Sequence, residues 1–223
     1  MCVSRHAARR PARNEGVTAP RPRRRLSEDV RRRQIINATV AVVAELGYEG
    51  ASLARIAERA EVSKGLVSHY FTDKDRLMET VARTTLVTLR QTIADALVLD
   101  DPVPDIIRAA IHSAARLSVT HQAELEALRQ ISINLREADG TLRLGLAEYE
   151  ETYQGQEALF RRGQDEGTLR DFDTRVMAVT YQGAIDTMLT YLHEHPETDA
   201  HHYADALADL LTAAIARPRR EVS

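Results

Sequence analysis

The chain has little of several residue types, and each shortage excludes a class of structure. It has no tryptophan, and its aromatic residues amount to 4% of 223 residues. Its one cysteine, Cys2, excludes an intramolecular disulfide and fits a reducing compartment, so we expect a cytoplasmic location. No run of eighteen apolar residues occurs, which predicts that no segment spans a membrane. The Arg-rich start lacks the apolar stretch of a secretory signal.

Charge is distributed unevenly along the chain. Residues 1–33 contain eleven arginines against three acidic residues, a net charge of +8, whereas residues 91–223 carry a net charge of −11. The overall formal charge of −3 hides this separation. A basic end beside an acidic body predicts a polyanionic partner at one end only.

The apolar periodicity predicts an all-α fold of about nine helices. We expect a basic arm over residues 1–26, disordered and either without a role or adding DNA contacts, a three-helix head over 27–73 and a helical body over 74–223. Ser27 caps a predicted first helix to about Leu46, and Gly47 suits the left-handed position after it. Thr72 is the expected cap of a connector helix over 74–98. Further helices are predicted at about 104–119, 122–136, 141–166, 172–194 and 199–216.

The segment from Ser52 to Phe71 has the pattern of two short helices joined by a tight turn. Ser52 and Ser63 are suited to cap the two helices, because each hydroxyl can accept from a free backbone N–H group. Apolar residues at helical spacing and the small Ala57 allow the second helix to cross closely over the first. This is the pattern of a helix-turn-helix, whose second helix presents its N-terminal part to the DNA major groove.

The chain has two lysines, Lys64 and Lys74, and they flank the second helix of this hairpin. A lysine at a helix N-terminus opposes the helix dipole unless an anion lies there. A DNA phosphate is such an anion, and two solvated surface lysines are the alternative explanation.

Three motifs in the hairpin resemble those of the TetR family of bacterial transcriptional regulators: Ile56-Ala-Glu-Arg-Ala, Val62-Ser-Lys-Gly and His69-Tyr-Phe-Thr-Asp-Lys74. The resemblance covers residues 28–77 by motif and the remainder by helix number and order. Where the family usually has glycine at the turn, this chain has Glu61. A left-handed Glu61 would cost on the order of 1 kcal/mol.

The resemblance implies roles that the residue chemistry supports separately. Ser52, Tyr70 and Lys74 would contact phosphates, and Ser63, Lys64 and Gly65 would lie at the start of the recognition helix. Leu66, Ser68 and His69 would face the groove, where a leucine suits a thymine methyl group. His69 can equally be solvated or bound to a phosphate.

The resemblance also implies a homodimer and an enclosed ligand pocket in the body. The apolar residues of 172–194 extend around most of the helix, which suits burial on two sides and a role in the dimer interface. The interface residues expected on this basis are Gly183, Ala184, Met188, Leu207 and Leu211. Candidate polar residues of the pocket are Asn134, Tyr149, Tyr153 and Tyr181, although core packing is the favoured explanation for each.

The segment Ser68-His-Tyr-Phe71 is similar to the choline-responsive branch of the family, but a quaternary ammonium requires an aromatic cage, and choline is not assigned. Histidines 193, 195, 201 and 202 match no familiar metal spacing and favour a solvated loop. No catalytic motif or phosphate-binding glycine loop occurs, so we expect no enzyme activity, no cofactor and no metal.

The sequence therefore predicts a ligand-responsive repressor. It would bind a palindromic double-stranded DNA operator as a homodimer and be released by a small molecule of unknown identity. The alternative is a DNA-binding regulator without an inducer, controlled by a partner protein or by its own abundance.

Overall fold

The computed structural model describes residues 27–217, and every regular element in this range is helical. The expected all-α fold with nine α-helices is therefore confirmed for the described range, whereas the predicted arm at 1–26 lies outside it. Among residues 27–217, no helix combines the length and the hydropathy of a membrane-spanning segment. In chain order the helices are α1 (Glu28–Gly50), α2 (Leu53–Arg59), α3 (Lys64–Tyr70), α4 (Lys74–Ala94), α5 (Val103–Thr120), α6 (Gln122–Asn134), α7 (Glu150–Asp165), α8 (Thr174–Glu194) and α9 (Ala200–Ile215), with a short 3₁₀ helix at Leu146–Tyr149 before α7.

Helix α1 begins where the sequence predicts, but it bends at Gly47 and continues to Gly50 instead of ending near Leu46. The Ser27 side chain accepts from the backbone N–H of Val30 at 3.4 Å and caps the helix. Gly47 has a φ of 72°, a conformation that glycine adopts without a steric penalty. The helix continues from this kink to Gly50, and Tyr48, the first residue after Gly47, is buried against the head.

The head core does not end at residue 73. It contains the buried apolar residues of α1, α2 and α3, together with Leu77, Met78, Val81 and Ala82 of α4. Two residues of α6, Ala127 and Ile131, and its C-cap Leu135 complete this core and are fully buried. One face of α6 is therefore part of the head, although the sequence predicts that this helix belongs to the body.

The second core lies in the body between α5, α7, α8 and α9. It includes Ile107 and Ile111 from α5, Phe160 from α7 and Met188 from α8. Helix α5 packs along α9, and α7 packs along α8. The body is therefore a helical bundle beside the head, and α4 runs between the two cores.

Two predicted features of α4 are wrong. Its N-cap is Asp73 rather than Thr72, because the Asp73 carboxylate accepts from the Arg76 N–H at 2.8 Å. The helix ends at Ala94 rather than near residue 98. Beyond its end, Arg162 donates to the backbone carbonyl of Asp101 at 2.7 Å, so this loop is held by α7 instead of by helical hydrogen bonds.

The expected helix over 141–166 is also wrong in its first half. Asp139 accepts from the Thr141 N–H at 2.9 Å, a local turn that competes with helix formation. Gly140 has a φ of 85°, and α7 begins only at Glu150. Leu146, expected on the buried stripe, is 75% exposed.

Candidate nucleic-acid interface

Both serines of the hairpin cap a helix as predicted. The Ser52 hydroxyl accepts from the Arg55 N–H at 3.3 Å, and the Ser63 hydroxyl accepts from the Leu66 N–H at 3.2 Å. Each cap satisfies one backbone donor that the helix itself leaves free. The start of α3 is therefore fixed by a local hydrogen bond as well as by packing.

The turn between α2 and α3 depends on a left-handed residue. Glu61 has a φ of 51° and is the one non-glycine residue with a positive φ in residues 27–217. The following Val62 N–H donates to the Ala57 carbonyl at 2.9 Å, which closes the end of α2. Since Glu61 is exposed, the strain of about 1 kcal/mol lies in its backbone alone.

Helix α3 packs on the head core through apolar contacts on one side. Val67 is fully buried, and Phe71 is 3% exposed against the head core. The opposite side carries Lys64, Gly65, Ser68 and His69, all of them exposed. The structure therefore places these four predicted contact residues on one accessible surface, and Ser63 lies beside them at the cap.

Gly65 and Leu66 lie at the edge of that surface. A Cβ atom added at Gly65 would meet one atom within 4 Å among the described residues, Ser63 Oγ at 3.9 Å. Packing within the head therefore does not require glycine here, whereas a close approach by another molecule would. Leu66 and Tyr70 are half-buried, and the Tyr70 ring meets that of His69 edge-on at 5.4 Å.

Lys74 makes an internal contact that the sequence did not predict. Its ammonium donates to the Tyr48 carbonyl at 2.7 Å and lies 4.5 Å from the centre of the Tyr48 ring. Burial, together with the nearby negative charge of Asp75, raises the pKa of Tyr48 to about 12. The hydroxyl therefore stays protonated and donates to Asp75 at 3.4 Å. A lysine ammonium has three N–H donors, and the carbonyl uses one. Lys74 thus joins the end of α1 to the start of α4 and keeps donors for an anion.

Two contacts that the sequence did not predict hold α2 in place. Gln34 on α1 donates to the Ala60 carbonyl at 2.7 Å, and Arg59 forms a two-pronged ion pair with Glu45. Hydrogen bonding to Arg59 lowers the pKa of Glu45. The partners lie 26 positions apart in the first contact and 14 in the second, and no local sequence pattern indicates such pairs.

Three arginines, Arg32, Arg76 and Arg83, line a groove of about 260 Å³ beside α3. Glu79 lies in the same groove and pairs with Arg76 at 3.0 Å, whereas the Arg32 guanidinium lies 5.6 Å from the Phe71 ring centre. Arginines suit phosphate contacts because their donors form a planar fork. The run of arginines at 31–33 could have indicated Arg32 as a phosphate contact, but the sequence analysis assigned these arginines only to the basic end as a whole.

A cavity of about 240 Å³ lies between α4, α6 and α8. Half of the residues in its wall are leucine or isoleucine, and its polar side chains include Arg90, Tyr149 and Asp186. A second cavity of about 330 Å³ shares Tyr149 and three other residues of this wall. The two spaces together approach the size of a small-molecule site.

The four predicted pocket residues fall in three different environments. Tyr149 lines both cavities. Tyr153 and Tyr181 are buried in the body core, in agreement with the favoured explanation of core packing. Asn134 is exposed at the end of α6 and donates to the Gln130 carbonyl, so its assignment to the pocket is wrong.

The polar residues of the cavity form two separate groups. Burial raises the pKa of Asp186, although Gln182 and Tyr149 donate hydrogen bonds to it and Arg90 lies nearby. At the other side, burial would raise the pKa of Glu126, but hydrogen bonds from Arg129 and Gln130 lower it overall. Asp186 was not among the predicted pocket residues, although its position on a largely apolar helix was a signal for it.

The five predicted interface residues do not all lie at the surface of the subunit. Gly183 is exposed and Ala184 is partly exposed, whereas Leu207 and Leu211 are half-buried against the body core. Met188 is fully buried within the subunit, so its assignment to the interface is wrong. The exposed apolar residues on this side are Val176, Val179, Tyr191 and Leu210.

Comparisons with known proteins match the head by sequence and most of the chain by fold. The family described as "Bacterial regulatory proteins, tetR family" matches residues 35–81. The transcriptional regulator BetI of Yersinia pestis is 44% identical over 78 residues, which are 34% of this chain and 39% of BetI. BetI of Escherichia coli is 43% identical over 70 residues, 31% of this chain and 36% of BetI. The match therefore spans well under half the length of these relatives.

Solved structures of the same family extend the likeness to the body. A regulatory protein of the TetR family from Rhodococcus superimposes with a TM-score of 0.68 at 16% identity, over 86% of this chain and all of that one. The TetR-family regulator PfmR from Thermus thermophilus gives a TM-score of 0.64 at 21% identity, over 80% of this chain and 97% of its own. The head therefore matches the TetR family of bacterial regulatory proteins by sequence, and the described chain shares the fold of solved members of that family.

Proposed function

We propose that the chain is a DNA-binding transcriptional regulator, a homodimer that binds a palindromic operator and is released from it by a small molecule. The observation that carries the proposal is the exposed side of α3. Lys64, Gly65, Ser68 and His69 lie there on a helix whose other side packs on the head core through the fully buried Val67. A capped helix with this arrangement suits entry into a major groove, with the cation on a phosphate and the polar side chains on base edges.

Dimerisation through α8 and α9 is supported by a two-sided α8. One side of this helix contributes Tyr181, Ile185 and Met188 to the body core. The other side carries Val176 and Val179, which are 62% and 41% exposed, and Gly183 lies on the same side with open space around it. Leu210 on α9 is 71% exposed. Apolar residues on a surface helix beside a glycine suit close packing against the same face of a second copy.

Ligand control is supported by the position of α6 between the cavity and the head. Ala127 and Ile131 of this helix are packed into the head core. Leu128, Arg129 and Ser132 of the same helix line the cavity. A ligand that shifts α6 would therefore move groups on which the head rests, which favours this proposal over a regulator without an inducer.

The wall of the cavity indicates the chemical class of the ligand. Leucine and isoleucine side chains suit an apolar body, and the half-buried Asp186 suits a hydrogen-bond donor or a cationic group. Tyr149 is the one Tyr, Phe or Trp among the described residues that line this cavity, so it does not supply an aromatic cage. An amphipathic molecule with one donor group fits better than a quaternary ammonium. A regulator acting on genomic DNA would work in the cytoplasm.

The test begins with selection of binding sites from random duplex DNA by the full chain. We expect an inverted repeat whose half-site centres lie about one helical turn, or about 10 base pairs, apart. His69→Ala should relax base preference at a defined position, whereas Arg161→Ala, on the exposed side of α7, should leave the selected sequence unchanged. Enrichment of a single half-site, or of no sequence, would contradict the proposal.

The ligand is tested separately with a variant that fills the cavity. Ser132 lines both cavities, so Ser132→Trp should abolish release by any compound that raises the melting temperature of the wild type, with operator affinity retained. Release that persists in this variant would place the ligand elsewhere. If no compound releases the wild type, the alternative of control by a partner or by abundance gains support.

A further inference from the structure

Three side chains able to bind a metal ion meet where α9 begins against α5. His112 comes from α5, and His201 and Asp205 come from the first two turns of α9. One ligand atom from each lies within 4.8 Å of the others. Because His112 and Asp205 are 93 positions apart in the chain, this group exists only in the folded protein.

The two imidazoles are arranged around the single carboxylate. His112 Nε2 lies 3.0 Å from one oxygen of Asp205, and His201 Nδ1 lies 3.0 Å from the other. The two rings are 4.8 Å apart between their centres. His201 and Asp205 are four residues apart on α9, a spacing that places both on one face of the helix. Imidazole nitrogen and carboxylate oxygen are ligands that Zn²⁺ prefers.

The distances require only a small adjustment for metal binding. Donors about 2 Å from a tetrahedral Zn²⁺ ion are about 3.3 Å from one another. The His201 side chain is 77% exposed and that of Asp205 is 44% exposed, so both are free to change rotamer. His112 is the more buried ligand at 18% exposure and supplies a fixed point.

One cation already lies close to the group. Arg108 Nη1 is 3.6 Å from Asp205, but the other terminal nitrogen of Arg108 forms a hydrogen bond to Asp209. Asp209 therefore takes the closer contact of the guanidinium, and the shorter contacts of Asp205 are with the two histidines.

We propose that His112, His201 and Asp205 form a Zn²⁺ site with water in the remaining position. The ion would join the start of α9 to the middle of α5 and hold the helix that carries the exposed Leu210. The site does not rest on DNA binding, and it is separate from the cavity between α4, α6 and α8. The spacing of the histidines in the sequence does not indicate it, because His112 is the ligand that completes the set.

The test measures Zn²⁺ binding to the full chain after removal of metal with a chelator, by isothermal titration calorimetry and by the absorption of Co²⁺ as a substitute. We expect one ion per chain at this site, and an affinity lower by about tenfold or more in His201→Ala and in Asp205→Asn. His202→Ala is the matched control, because this neighbouring histidine is exposed and outside the group; its affinity should stay within about twofold of the wild type. Circular dichroism verifies that each variant is folded, and His112→Gln tests the third ligand without leaving a large cavity.

Two results would overturn the proposal. One is a wild type that binds no Zn²⁺. The other is equal affinity in His201→Ala and His202→Ala, which would assign the binding to other histidines or to residues outside 27–217. A decrease in all three ligand variants with the control unchanged would support the site, whatever the outcome of the DNA-binding experiments.

Discussion

We expect Lys64→Ala to weaken operator binding and to make that binding less sensitive to salt. Lys64 is the first residue of α3, is exposed, and follows the Ser63 cap directly. A lysine at this position opposes the helix dipole in the free protein and gains a partner when a phosphate approaches. Since the side chain does not pack in the core, its removal should leave the stability of the head nearly unchanged.

The size of the effect depends on how many DNA phosphates the variant no longer neutralises. Each neutralised phosphate contributes about 0.9 to the slope of log K against log salt concentration, so a dimer without its two Lys64 ammonium groups should have a slope smaller by about 1.8. When the salt concentration rises from 50 to 200 mM, this change in slope reduces the ratio of wild-type to variant affinity by about twelvefold. The variant should therefore be most impaired at low salt.

The assay is fluorescence anisotropy with a labelled operator at several salt concentrations. Arg161→Ala removes one positive charge from the exposed side of α7 and is the control for a general effect of net charge. A slope equal to that of the wild type, or an equal change in the control, would refute the assignment of Lys64 to a phosphate.

Lys74→Ala should differ from Lys64→Ala in a second measurement. Both variants should reduce the salt slope, but Lys74 also holds the Tyr48 carbonyl at 2.7 Å and covers its ring. Its removal should therefore lower the free energy of unfolding by about 1–2 kcal/mol, from one charged hydrogen bond and one cation–π contact. A normal unfolding curve would show that the internal contact contributes little in solution.

Three further substitutions test local features of the structure. Glu61→Gly should raise the free energy of unfolding by about 0.5–1 kcal/mol in a urea titration. Glycine removes the cost of the left-handed backbone, although the greater entropy of the unfolded chain offsets part of this gain. A less stable variant would contradict this. Gly163→Ala should lower it by about 1–3 kcal/mol, since a Cβ atom there would lie 2.6 Å from the buried Leu169 side chain. Asp186→Asn should stabilise the protein at pH values above the raised pKa of Asp186, because the wild type there keeps a poorly solvated charge. This advantage should disappear as the pH falls through that pKa, since the wild-type carboxyl then becomes neutral. A stabilisation that does not depend on pH would indicate an effect of packing instead.

Local signals account for what the sequence predicted correctly. Serine hydroxyls at positions 52 and 63 cap helices through hydrogen bonds three residues away, so the pattern alone locates α2 and α3. The positive φ that was expected at Gly47 is equally local, as is the positive φ of Glu61. The errors arose where a local alternative or a distant contact prevailed. Asp139 formed a turn in place of a helix, and Arg162 held the loop beyond α4.

The residues of the candidate sites also differ in whether a local pattern was enough to assign them. The resemblance implied which residues of α3 would contact DNA, and helical periodicity explains why most of them lie on the exposed side, opposite the buried Val67. Asn134 and Met188 were misplaced, because periodicity does not state which neighbour covers a face. Asn134 is exposed at a helix end, and Met188 fills the core of its own subunit.

The sequence by itself determined the helix-turn-helix, the all-α class and the separation of a basic end from an acidic body, because caps, periodicity and charge act over a few residues. The tertiary structure alone decided that α6 belongs to both the head core and the cavity, that Lys74 rests on Tyr48, and that His112 lies beside His201. These pairings depend on how helices distant in the chain pack against one another, and the periodicity of a single helix does not encode its partner.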